Sequence, residues 1–172
     1  MVAVTIRPED EHDIDAVLDV LETVAAEARW IGTEVPFDRA ARAEGIRRDL
    51  ASPEVFAGFV AEADSSVIGS IGLRLAPYGV VSLGMAIVDG YRGQGIGTRL
   101  LDSGIGWARR AGAHKVALEV WPHNERAIAL YTKTGFIEEG RLRHHYRRRN
   151  GELWHAAVMG LLLDPEGDCP VE

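Results

Sequence analysis

The chain has 172 residues, enough for one domain with a real core, and 47% hydrophobic against 26% charged residues is an ordinary globular balance. No apolar run approaches the roughly 18 residues of a membrane span, the start "MVAVTIRPED" lacks the pattern of a secretion signal, and the single cysteine, Cys169, excludes a disulfide framework. A net charge of −7 argues against a nucleic-acid partner and favours cationic ligands such as amines, although solubility alone explains it equally well; the expected location is the cytoplasm, with no membrane partner.

Residues 2–8 alternate and end at Pro8, the pattern of a first strand. Ile14, Val17, Leu18, Leu21 and Val24 then recur at helical spacing within residues 10–29. "GTEVPFD" breaks that helix, and a second is predicted over residues 37–50, stopped at Ser52-Pro53. Residues 55–63, 67–76 and 80–88 are predicted strands, joined by Asp64-Ser65-Ser66 and by a turn at Pro77 to Gly79. A helix over residues 95–111 presents Ile96, Leu100, Leu101, Ile105 and Ala108 on one side and stops at Gly112. A strand at 115–121 and a short helix at 124–134 follow, the helix opened by Asn124, a good N-cap residue. Strands near 136–145 and 153–163 flank an Asn150-Gly151 hairpin turn, and 164–172 is a loose tail after a single domain of residues 1–163. Hairpin-joined strands lead into a strand–helix–strand crossover, which demands a parallel pair, so the expected fold is α/β with a mixed, mostly antiparallel sheet of about seven strands and helices on both faces.

Two segments carry chemistry. "YRGQGIGTRL", residues 91–100, joins a strand to a helix. It lacks the lysine of the G-x-x-x-x-G-K-S/T loop, and its G-x-G-x-G falls one residue short of the dinucleotide fingerprint. A helix start nevertheless offers free N–H groups and partial positive charge, glycines admit an anion closely, and Arg92 can add a bidentate contact. The segment reads either as a pyrophosphate cradle for a ligand that reacts elsewhere or as a tight turn with no ligand. The second segment is "EVWPHNERAIALYTKTGF", residues 119–136.

Together they resemble the GNAT superfamily of acetyl-CoA-dependent N-acetyltransferases. The Q/R-x-x-G-x-G/A loop is matched by Arg92, Gly95 and Gly97. The N-x-x-A-x-x-x-Y-x-x-x-G-F stretch is matched by Asn124, Ala127, Tyr131, Gly135 and Phe136. The resemblance implies a splayed central parallel pair of strands and acetyl-CoA as co-substrate, with no metal. Backbone amides of Gly93, Gln94, Gly95, Ile96, Gly97 and Thr98 would hold the pyrophosphate beside Arg92. The strand edge at Met85, Ala86, Ile87 and Val88 would pair with the pantetheine arm and aim an N–H at the thioester carbonyl. Asn124 would touch the arm or help fix the splay, Ala127 would lie beside the coenzyme, and Tyr131 would lie near the sulfur as proton donor. The acceptor would be a small-molecule or peptide primary amine: an amino acid or its analogue, a polyamine or a protein N-terminus. A non-catalytic acyl-CoA-binding regulatory domain is the alternative.

Relatives often carry a glutamate early in the fourth strand as base; here that place falls to Ser82. Glu119 is the first substitute, with an exposed strand charge or an ion-pair member as the plain alternative. Glu34 is a candidate for the acceptor site or a solvated loop carboxylate. Trp30, Phe37 and Trp154 are candidates for an acceptor pocket or for core packing. The cluster "RLRHHYRRRNG", residues 141–151, is a solvated hairpin or a contact for the acceptor or the adenosine 3′-phosphate. A homodimer through the last strands or exposed helices stays among the candidates.

Overall fold

The structure, a computed structural model, describes residues 3–164. Eleven elements follow in the predicted order, most of them bounded within a residue or two of expectation: β1 Val4–Pro8, α1 Ile14–Ala26, α2 Arg39–Leu50, β2 Phe56–Ala63, β3 Ser66–Leu75, β4 Val80–Ile87, α3 Ile96–Arg110, β5 Lys115–Val120, α4 Glu125–Lys133, β6 Ile137–Arg147 and β7 Leu153–Leu162. Cys169 and nearly all of the predicted tail lie outside the described residues. No helix among the described residues is long and apolar enough to cross a membrane.

The strands form one sheet in the order β1-β2-β3-β4-β5-β7-β6. Every pair is antiparallel except β4–β5, the pair that the crossover through α3 forces to be parallel. The two strands hold only three register pairs, Val80–Lys115, Val81–Val116 and Ser82–Ala117, and then diverge. This is the expected splay. Both strands stay anchored on their outer sides, β4 to β3 as far as Ile87 and β5 to β7 as far as Val120.

Strand alternation sorts the core onto two faces. Ile71, Leu73, Val81, Val116 and Leu118 pack with Ile96, Leu100 and Leu101 of α3 and with Tyr131 of α4. The other face receives α1, whose Val20 and Val24 pack on Ala86. Arg7 locks that helix to β1: its guanidinium donates two 2.7 Å hydrogen bonds to Asp13 and also reaches Glu62.

Two departures from expectation bear on the site. The first helix begins after a short 3-10 turn at Glu11–Asp13 and stops at Ala26, three residues before the predicted end. Ala28 then takes a left-handed conformation (φ 53°). Glu27 and Trp30, freed from the helix, make long-range contacts instead. In β6 the register jumps between Leu142 and Tyr146 while β7 advances only from Ala156 to Trp154, with His144 at φ 49°. This bulge carries the strand on to Arg147 and re-aims Tyr146.

Candidate active site

The splay opens a cleft of about 940 Å³. β4 supplies one wall, and strand parity decides what that wall offers. Val88 N donates to Ile68 O and Ala76 N to Val80 O, so even-numbered residues of β4 turn their peptide groups toward β3. Leu83, Met85 and Ile87 therefore turn theirs toward β5, where pairing has stopped. The Ile87 carbonyl is taken by Arg92 Nε at 2.7 Å, which leaves the N–H groups of Met85 and Ile87 as donors on the open edge. Of the four residues expected there, Ala86 lines the cleft but spends its backbone on β3. Val88 does not line it: its side chain packs with the Val20–Val24 cluster.

At the end of that wall the chain turns into α3. Gly93 and Gly95 take positive φ, 76° and 80°, and a Cβ on either would meet nothing within 4 Å. Their conformation and the open space above them suit a backbone cradle. The backbone N–H groups of Gly93, Gln94, Gly95 and Ile96 have no acceptor among the described residues. Gly97 is small for another reason: a Cβ there would lie 2.8 Å from Leu130 Cδ2, where α3 meets α4. Gln94 folds back to donate to Gly90 O at 2.7 Å, and the Ile96 side chain is buried, so these two residues offer backbone groups only. Thr98 lines the cleft.

Arg92 lines the cleft, but its side chain already has a protein partner. Its guanidinium is forked onto Glu27, Nη1 to Oε2 at 2.9 Å and Nη2 to Oε1 at 2.5 Å. The pair holds the Glu27 carboxyl below the usual carboxylate range. Glu27 also accepts from Trp30 Nε1 at 2.6 Å. Arg92 therefore ties the loop after α1 to the end of β4, and its charge is already matched.

The opposite wall comes from β5 and α4. Asn124 lines the cleft and caps α4, its side-chain oxygen accepting from Ala127 N at 3.2 Å; Ala127 lines the cleft as well. Tyr131 reaches the cleft from α4 but is only 7% exposed, and burial pushes its pKa up to about 12. Its hydroxyl therefore keeps its proton across the whole physiological range. Glu119 projects from β5 on the opposite face of the sheet, because Val116, Leu118 and Val120 occupy the α3 face. Its Oε2 accepts from the Tyr146 hydroxyl at 2.6 Å, a bond that raises the tyrosine pKa to about 12. Tyr146 packs edge-on to Trp121 (5.0 Å), which is edge-on to Trp154 (5.3 Å). Trp30, Trp121, His123 and Tyr146 give this side an aromatic lining.

The remaining candidates lie elsewhere. Ser82 is exposed at the last position of β4 paired with β5, with its hydroxyl 3.5 Å from Arg74 O, and lines a second groove instead of the cleft. Glu34 lines neither: it accepts from Arg149 N at 3.2 Å and lies 3.5 Å from Arg148 Nε. It is a joint between the α1–α2 loop and the β6–β7 hairpin. Arg148, only 5% exposed, completes that joint by donating to Gly32 O at 3.0 Å beneath Trp154. The basic cluster is thus partly internal structure. Phe37 lies under Arg42, away from the cleft. Tyr146, Trp121 and Glu27 belong to the site without having been singled out as site residues. Trp121 comes with the end of β5, whereas the bulge brings Tyr146 and the early helix end frees Glu27, and neither of those two features carries a sequence signature.

Known proteins agree with this geometry. The acetyltransferase (GNAT) family matches residues 19–136. An N-alpha-acetyltransferase of Sulfurisphaera tokodaii is 38% identical over 102 residues, 51% of this chain and 60% of that protein. The N-alpha-acetyltransferase RimI of Mycobacterium tuberculosis is 34% identical over 107 residues, 59% of this chain and 65% of that one. The chain spans between 27% and 65% of the lengths of such curated relatives. Among solved structures, yncA of Salmonella typhimurium with its cofactor acetyl-CoA superposes with a TM-score of 0.85 at 22% identity, covering 98% of both chains. A ribosomal-protein-alanine N-acetyltransferase of Brucella melitensis gives 0.84 at 25%, covering 92% of this chain and 99% of that one. Sheet order, splay, glycine loop and the span of the family match together place the chain in the acetyltransferase (GNAT) family.

Proposed function

We propose that this protein transfers the acetyl group of acetyl-CoA to a primary amine by direct attack. One observation carries the reading: a single cleft joins the free-amide loop of Gly93–Thr98, the unpaired edge of β4 and the side chains of Glu119 and Tyr131. The loop binds the pyrophosphate, and the edge at Met85 and Ile87 holds the pantetheine arm as an added strand would be held. An N–H of that edge donates to the thioester oxygen as negative charge gathers there.

The amine arrives protonated, since a lysine-like amine has a pKa near 10.4 and only about one molecule in a few thousand is neutral at pH 7. Glu119 accepts the proton, directly or through water, while Tyr146 holds its carboxylate in place. The neutral nitrogen bonds to the acetyl carbon and the carbon–sulfur bond breaks. The nitrogen sheds its second proton, and Tyr131 protonates the departing thiolate. The Tyr131 proton is replaced from solvent, so the sum is amide, free thiol and one released proton.

Mixing the protein with acetyl-CoA and a panel of primary amines, and following free thiol, tests the reading. Thiol release that depends on both the amine and Glu119 is expected. Tight acetyl-CoA binding with no release on any amine would instead favour a regulatory binding domain, and no binding at all would sink both.

A further inference from the structure

The cleft does not end at β4. A second groove of about 590 Å³ continues from it across the α1–α2 face of the sheet, and Ile31, Gly32, Leu83, Gly84, Met85 and Ala86 line both. Register sets its floor. Gly58 pairs with Gly72, and Gly72 pairs with Gly84, so three glycines stand abreast across β2, β3 and β4. A row without side chains makes a trough two strand spacings long, about 10 Å. Its roof is α2, none of whose residues is buried, although Arg42, Ile46 and Asp49 line the groove. A helix over a sheet ordinarily buries an apolar stripe against it; under α2 a groove takes the place of that stripe.

Glu9 closes the far end. Its N–H donates to Gly58 O at 2.9 Å, and its side chain lies flat on Gly58, where a Cβ would meet Oε2 at 2.2 Å. Oε1 is buried and has no hydrogen-bond partner. Of the other charges of the groove, Asp49 pairs with Arg74, while Arg42 donates to the neutral Thr33 Oγ1 and lies over Phe37. Glu9 is the lining carboxyl left without a cation among the described residues. Burial, reinforced by Asp13, Asp10 and Asp49, lifts its pKa to about 7, the behaviour of a carboxylate lacking its counter-ion.

We propose that this groove holds the tail of the acceptor, a linear diamine or polyamine whose second ammonium pairs with Glu9 about 10 Å from the acetylated nitrogen. The inference rests on the acetyl-transfer reading and names its substrate class. The amine end lies at Gly84 and Met85, beside the open edge of β4, and the glycine row leaves room for a polymethylene chain. An arriving ammonium supplies the opposite charge that the buried carboxylate lacks.

The test is calorimetric titration of diaminooctane and octylamine into the coenzyme A-saturated protein at about pH 8, where Glu9 is ionised. The diamine is expected to bind about ten- to a hundredfold more tightly. Glu9→Gln should erase that preference and leave octylamine binding unchanged. Equal binding of the two amines by the native protein, or a preference that survives Glu9→Gln, overturns the proposal. Gly72→Val serves as a second variant should Glu9→Gln not fold. A Cβ at Gly72 makes only an ordinary 3.6 Å contact with Phe56, so the added methyls enter the trough. It should weaken both long amines and spare propylamine, and undiminished long-amine binding would also overturn the proposal. Thiol release with propylamine reports on acetyl transfer alone, so failure of that reading is seen separately.

Discussion

Replacing Tyr131 by phenylalanine should separate chemistry from packing. The ring is buried against Phe136, with centroids 5.6 Å apart, while the residue lines the cleft at its other end. Phenylalanine keeps the ring and removes a hydroxyl that reaches the cleft without a protein partner, so Tyr131→Phe should be about as stable as the native protein at neutral pH. Alkali sharpens the contrast. Burial raises the phenol pKa from 10.0 to about 12, and a rise of that size corresponds to about 3 kcal/mol. Because the folded-state pKa is the higher one, this stability is fully present below about pH 10 and is lost as pH rises through about 12. The native protein should therefore lose about 3 kcal/mol across that window that Tyr131→Phe retains, measured by denaturant midpoints. In saturating thiol-release assays, kcat should fall by about a hundred- to ten-thousandfold, with the KM for acetyl-CoA unchanged. An unchanged kcat would remove Tyr131 from proton transfer. A large loss of stability at neutral pH would mean that the hydroxyl holds the fold, and the lower rate would then lose its chemical meaning.

Three further substitutions probe the rest of the site. Gly95→Glu places a side chain in open space at φ 80°; it should cost about 1–2 kcal/mol of stability through left-handed strain and weaken acetyl-CoA at least about tenfold by calorimetry. Undiminished affinity would refute the pyrophosphate cradle. Glu27→Gln removes the partner of Arg92. Since Arg92 depresses the Glu27 pKa, the stability it contributes is present above the ordinary carboxylate pKa and lost as pH falls through the lowered one. The variant should thus melt below the native protein at pH 7 and converge with it in acid; parallel melting curves would argue against the pair. Glu9→Gln should do the reverse: with a pKa raised from 4.5 to about 7, Glu9 adds its stability below the lower value and forfeits it as pH rises through the upper. The variant should gain up to about 3 kcal/mol at pH 8 and nothing near pH 4, and a gain independent of pH would dismiss the buried carboxylate.

The fold was legible wherever local pattern and tertiary demand agree. The run from Val80 to Arg110 shows this best: an apolar alternation, a glycine turn and an amphipathic helix each fix their own geometry, and the crossover they make dictates a parallel pair. At the end of α1 they disagree. Ala25 to Arg29 are good helix formers, so composition carries the helix onward. Glu27 is wanted by Arg92, 65 residues away, and the helix gives way to that pair. The β6 bulge is similar. Nothing in "RLRHHYRRRNG" marks His144 as the residue to be pushed into positive φ. The reason lies across the ladder, where His155 Nδ1 accepts from His144 N at 2.9 Å and the two rings stack.

The same distinction divides the site. The coenzyme half that we propose is made of backbone: three glycines, a helix start and a strand edge, all within residues 83–98. Spacing along the chain reveals such a device because the chain itself builds it. The parity of β4 adds what spacing leaves open. It selects Met85 and Ile87 over Ala86 and Val88, since one edge of the strand is already spent on β3. The acceptor half that we propose is made of side chains from Glu9, the α1–α2 loop, β5 and β6, and only the sheet brings them together. Ser82 illustrates the cost of reading it by position. The place where relatives often carry a base faces the second groove rather than the cleft, and the carboxylates we propose for the acceptor, Glu119 and Glu9, come from other strands and loops. A reaction that fixes one end of its substrate pair and varies the other needs this arrangement. The coenzyme never changes, so its contacts can be built into the backbone. The amine differs from one family member to the next, so its contacts must lie on side chains that substitution can exchange without disturbing the cradle.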